Sequence, residues 1–241
     1  MKETMSEMRA GIEHLGESLH ETLEELKPKL RGWLHLIIAP LTLAGGVVLV
    51  ALSPNTITRV GSAVFIASAL ILFTVSAIYH TGTWSPRVWA FLRRFDHSNI
   101  FVLIAGSYTP FSLILLEGTQ RTVLLSVVWT GAILGVLFRV FWTDAPRWLY
   151  TPIYIAMGWA AVFFIPGFLD GARTLGGVGI AAFVMIVVGG ALYTFGGVVY
   201  GFKRPNPSPL WFGFHEVFHS FTILAFVSHY VGVSLATYAH R

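Results

Sequence analysis

Seven stretches of the chain stay apolar for roughly twenty residues each: 33–52, 61–81, 96–116, 122–142, 149–168, 176–199 and 213–238. A helix rising about 1.5 Å per residue needs about 20 such residues to cross the hydrocarbon of a bilayer. The pattern therefore predicts seven transmembrane helices. Breakers separate them: Ser53-Pro-Asn, Trp84-Ser-Pro-Arg, Glu117-Gly-Thr, Asp144-Ala-Pro-Arg, Asp170-Gly-Ala and Lys203-Arg-Pro-Asn-Pro-Ser-Pro. Gly-Gly pairs at 45–46, 176–177, 189–190 and 196–197 mark expected close-packing surfaces. Ahead of the first run, Met5, Met8, Ile12, Leu15, Leu19, Leu23 and Leu26 recur at spacings of three and four, and Glu fills much of the rest. That predicts an amphipathic helix with an acidic polar face. The expected fold is an all-α integral membrane protein. It has a short cytoplasmic N-terminal helix within 1–30 and a seven-transmembrane domain over 31–241.

Composition agrees. Hydrophobic residues make up 55% of the 241 and charged residues 12%, against roughly 25% charge in a soluble domain. The net charge of +4 does not imply nucleic acid, because the basic residues sit in short loops beside the apolar runs. Acidic residues and no early apolar run open the chain, which does not read as a secretory signal. Alternating sides of the membrane divide Lys and Arg unequally. Lys2, Arg9, Lys27, Lys29, Arg31, Arg87, Arg93, Arg94, Arg139, Arg147, Lys203 and Arg204 fall on one side, and Arg59, Arg121, Arg173 and Arg241 on the other. The richer side is expected in the cytoplasm, with the N-terminus. There the acidic N-terminal helix reads as a lid, as a self-association helix joining two copies of the chain, or as a tail with no specific partner.

This topology brings polar residues from distant stretches to one depth. Ser76 and His80 close the second span, Asp96 and His97 open the third, and His215 and His219 open the seventh, all at the inner surface. Ionisable groups in membrane segments are costly and usually functional. Residues four apart share a helix face, so Ser76 points with His80 and His215 with His219. If those helices pack together, His80, His215 and His219 can make a three-His site. With no Cys in the chain, a metal site must use His, carboxylate or water. Three neutral imidazoles suit zinc, with a fourth position open to water. Asp96 could accept that water's proton and Ser76 could orient it or a bound carbonyl. Blander readings stand beside these: Asp96 as the N-cap of the third span, Ser76 bonded to its own backbone, and the histidines as packing groups. His35 and His97 read as packing or supporting groups. Glu216 points about 100° away from His215 and is expected to pair with Lys203 or Arg204. His229 lies about 15 Å beyond His219 along the helix, too far to join the site.

Four motifs together resemble a known family: Ser76-Ala-Ile-Tyr-His80, Arg94-Phe-Asp-His-Ser-Asn-Ile, Ile104-Ala-Gly-Ser-Tyr-Thr-Pro110 and His215-Glu-Val-Phe-His219. They are similar to the bacterial hemolysin III branch of the progestin and adipoQ receptor family, over about residues 31–238. The resemblance implies a seven-helix fold with a cytoplasmic N-terminus in the bacterial inner membrane. It also implies zinc held by His80, His215 and His219, with Ser76 and Asp96 approaching the zinc-bound water. Receptor members are linked to ceramide hydrolysis, and bacterial members to membrane lipid homeostasis. One motif departs: where many members have Glu-x-x-Asn-x-x-x-His, His35 is present but Arg31 and Pro28 replace Asn and Glu.

The expected function is that of a zinc-dependent hydrolase of a lipid amide or ester, with a membrane lipid as ligand or substrate. The alternatives are a non-catalytic sensor of membrane state with structural zinc, and a cytolysin. The cysteine-free sequence allows a clean test of topology. Arg173→Cys should react with a membrane-impermeant maleimide in intact cells, and Lys203→Cys only after permeabilisation. The reverse pattern would invert the orientation.

Overall fold

A computed structural model describes residues 28–240. The chain forms α1 (Trp33–Ala51), α2 (Thr56–Thr81), α3 (Pro86–Leu115), α4 (Gly118–Phe141), α5 (Arg147–Gly158), a 3-10 segment (Trp159–Phe164), α6 (Ile165–Thr174), α7 (Gly176–Phe202) and α8 (Phe214–Tyr238). Residues Arg147–Thr174 run on as one span, so seven helices are long and apolar enough to cross a membrane. Among the described residues the one β-bridge is isolated, between Ser208 and Phe212. The amphipathic helix expected within 1–30, and the self-association assigned to it, lie outside the described residues except for positions 28–30. Those three are not helical: Lys29 and Leu30 donate backbone hydrogen bonds to the carbonyls of Leu210 and Trp211, at 3.0 and 3.2 Å.

Local chemistry sets the helix ends where hydropathy misplaces them. α2 begins at Thr56 instead of 61. Asn55 caps it by accepting a hydrogen bond from the Thr58 N–H at 3.0 Å, and the Thr58 hydroxyl accepts from the Asn55 N–H in return. α3 begins at Pro86 instead of 96, with proline at a first-turn position whose geometry it pre-sets. Arg87, Arg93 and Arg94 interrupt the apolar pattern there without interrupting the helix. Arg93 pairs with Asp144 at 3.0 Å and Arg94 donates to Thr143 at 2.8 Å. Both tie the start of α3 to the α4–α5 loop.

The fifth span is not the uniform helix that its apolar run predicts, and it continues through Asp170 to Thr174. Its middle tightens to 3-10 geometry over Trp159–Phe164. The Tyr108 hydroxyl on α3 donates to the Gly158 carbonyl and accepts from the Ala161 N–H. A break in a membrane helix needs such a partner, because lipid cannot satisfy the freed backbone.

α2 and α3 form the centre of the bundle. Phe65, Phe73, Phe101, Leu103, Leu124 and Val128 pack there, almost fully enclosed. The outer faces are apolar as well: Phe141 is 83% exposed and Phe163 86%. Such a surface suits lipid and not water. Of the glycine pairs, Gly196 lies where an added Cβ would sit 2.9 Å from Phe221, whereas Gly177 and Gly190 face open space.

Candidate metal centre

His80 lies in the last turn of α2, and His215 and His219 in the first turns of α8. The two helix ends meet at one end of the bundle. One nitrogen from each imidazole lies within 4.8 Å of the others. The ring centroids are 4.9 Å apart for His80–His215, 5.4 Å for His80–His219 and 4.5 Å for His215–His219. All three rings are buried, so three neutral nitrogens converge where water has little access.

Neighbouring groups hold these rings in place. His35 on α1 stacks on His219, with centroids 3.9 Å apart and planes 17° from parallel. Tyr200 on α7 packs edge-on to His215 at 5.7 Å. Gly32 precedes α1 with φ 87°, and a Cβ there would sit 2.7 Å from the His80 Cβ. Glycine suits both demands, the left-handed turn and the close approach. Beside His80, the Asp96 Oδ2 is 3.7 Å from its Nε2, and the Ser76 hydroxyl hydrogen-bonds to the Asp96 carboxyl.

Two alternatives for these residues fall away. Asp96 does not cap α3, because the helix starts at Pro86 and Asp96 lies well inside it. Ser76 is engaged with Asp96 and not only with its own backbone. His97, one residue on, turns elsewhere: its Nδ1 bonds to the Arg139 Nη2 at 3.0 Å, and its carbonyl accepts from Tyr154 at 3.1 Å.

Glu216 corrects an expectation. Its partner is Arg31, 185 residues earlier, and not Lys203 or Arg204. The strap at 28–32 folds back along Leu210 and Trp211 and carries Arg31 to the start of α8. Glu216 also accepts from the Gly213 N–H at 2.7 Å, satisfying a free backbone donor at the start of that helix. The pair fixes the turn that holds His215 and His219. A signal was present in the sequence: a carboxylate in an apolar helix requires a cation, and Arg31 stands at the edge of the first span.

From the histidines a cavity of about 410 Å³ extends into the bundle. His35, Ser76, Asp96, His215 and His219 line one end, and apolar side chains from α3, the fifth span and α7 line most of the rest. Trp159, Val162 and Val187 contribute to its wall and are also exposed on the outer surface, so the cavity lies close to the lipid face between the fifth and sixth spans.

Residues 23–230 match the family described as haemolysin-III related. The chain belongs to that family. It is 34% identical to the Hemolysin-3 homolog of Bacillus subtilis (strain 168) over 160 residues, 66% of this chain and 69% of the relative. To Hemolysin-3 of Bacillus cereus it is 33% identical over 149 residues, 61% of this chain and 65% of the relative. A more distant similarity, 25% over 188 residues, joins it to the Progestin and adipoQ receptor-like protein 1 of Caenorhabditis elegans, covering 73% of this chain and 43% of the worm protein. This haemolysin-III-related chain is a multi-pass membrane protein, and its three buried histidines could form a metal site.

Removing one partner of a buried ion pair strands the other, at a cost of about 3–5 kcal/mol. Arg31→Ala should therefore lower the thermal unfolding temperature of the purified protein markedly, with Arg31→Lys recovering part of the loss. An unchanged transition in Arg31→Ala would show that the strap does not hold α8.

Proposed function

We propose that the protein is a zinc-dependent hydrolase of a lipid amide or ester, acting in membrane lipid homeostasis from the cytoplasmic face of the bacterial inner membrane. One observation carries this reading: the three-histidine cage, with a carboxyl and a hydroxyl beside it, stands at the head of a long, mostly apolar cavity. A purely structural site would have no use for such a space.

The donor set fits zinc: three imidazoles, no thiolate, and a His219 Nδ1 with no other partner. When bound, zinc supplies a Lewis acid for a carbonyl and brings the ionisation of water to near neutral pH. His80, His215 and His219 would hold the ion. Asp96, kept in place by Ser76, takes a proton from the attacking water and returns it to the departing amine or alcohol. Once Asp96 is protonated, the Ser76 hydroxyl can accept from it and turn its own proton to the carbonyl oxygen of the substrate. The cavity holds the acyl chain, excludes water and aligns the scissile bond. Water is consumed, the C–N or C–O bond breaks, and a fatty acid and an amine or alcohol leave.

A second reading has its own observation. His80 on α2 and the two histidines on α8 come from helix ends that a metal ion would tie together, as a structural cross-link in a non-catalytic membrane sensor does. Asp96→Asn separates the two. For the hydrolase, the variant protein should keep its zinc and fold but release fatty acid from a ceramide panel about 10²–10⁴-fold more slowly. Turnover equal to wild type in that variant, or no turnover in zinc-loaded wild type on any lipid amide or ester, would favour the sensor.

A further inference from the structure

The cavity does not end at the histidine cage. Its far wall carries His229 on α8, Tyr193 on α7 and Ser107 on α3. His229 lies ten residues beyond His219, about 15 Å along the helix, and apolar side chains such as Leu103, Ile104 and Phe183 line the cavity. The His229 ring is buried, 5.5 Å from the Tyr193 ring and 5.6 Å from that of Phe111. Gly189 passes so close to it that a side-chain carbon at that position would overlap the imidazole.

The hydrogen bonding of this trio is incomplete. A carbonyl only accepts, so the contact of His229 Nε2 with the Ile186 carbonyl at 3.4 Å places the proton on Nε2. That leaves Nδ1 as a bare acceptor, and it has no partner. The Tyr193 and Ser107 hydroxyls are near enough to influence one another, yet neither closes a hydrogen bond of ordinary geometry. By contrast the adjacent Ser228 is satisfied, donating to the Met185 carbonyl at 2.9 Å. Unmet polar atoms at membrane depth are costly. A single ligand hydroxyl could donate to Nδ1 and accept from Tyr193 or Ser107.

We propose that His229, Tyr193 and Ser107 form a second polar subsite, which binds a hydroxyl part-way along the chain of a lipid whose carbonyl end lies at the cage. This rests on the reading of the cavity as a lipid site. An extended peptide covers about 1.2 Å per backbone bond, so about 15 Å corresponds to roughly a dozen bonds. The hydroxyl therefore belongs near carbon 12 of an acyl chain.

Zinc-loaded, full-length protein in nanodiscs tests this by competition of fatty acids against radiolabelled hexadecanoate. The probes are octadecanoate and its 12-hydroxy and 5-hydroxy derivatives. The 12-hydroxy acid should bind about tenfold more tightly than octadecanoate, the factor expected from one or two net hydrogen bonds. The 5-hydroxy acid should gain nothing, and Tyr193→Phe combined with Ser107→Ala should abolish the preference. Equal binding of octadecanoate and the 12-hydroxy acid would overturn the subsite and leave the lipid reading standing. A preference that survives the double substitution would also overturn it. Failure of every fatty acid to compete would overturn both readings.

Discussion

Three imidazole nitrogens held within 4.8 Å of one another set a demand that the surrounding structure has to meet. Hydrocarbon offers no partner for a ring nitrogen, and three imidazoles turned toward one point could share a metal ion. The rest of the molecule at this end can be understood from that demand. α2 ends and α8 begins where their histidines can converge. Gly32 lets the chain pass against His80. His35 lies flat on His219, and Arg31 pins the turn of α8 through Glu216. These contacts come from three separate stretches of sequence, and each limits the freedom of a ligand ring or of the turn that carries it. A preformed cage of this kind costs little further ordering when an ion enters.

The cage also explains why the cavity matters. Had the histidines been enclosed by packed side chains, a metal there could do no more than join helices. Here they face a long apolar space whose wall approaches the lipid between the fifth and sixth spans. The irregular fifth span contributes to that wall. Tyr108 absorbs the backbone groups that the span's 3-10 break sets free. The histidine cluster and the cavity that leads from it are thus made by the same few helices.

Much of this was legible in the sequence. The seven apolar runs are strong signals because lipid tolerates little else, and the i, i+4 spacing within Ser76–His80 and His215–His219 states which residues share a face. Topology brought Asp96 to the same depth. What escaped detection depends on contacts made at a distance. The start of α3 was hidden because hydropathy stops at Arg93 and Arg94, while the helix itself is set by Pro86. The error carried over to Asp96, which could then be mistaken for a cap. The break in the fifth span follows from a tyrosine some fifty residues earlier. Arg31 could be seen as a departure from a family motif but not as the partner of Glu216, because only the folded strap brings them together. His229 was set aside as too far from the cage, when distance is what gives it a place at the other end of the cavity.

Anomalous scattering at the zinc edge, from crystals of protein purified without added metal, tests the central claim most directly. The account predicts one strong peak per chain, enclosed by the ring nitrogens of His80, His215 and His219. A map with no zinc peak, or with zinc bound elsewhere and the three imidazoles bonded only to protein and water, would contradict it.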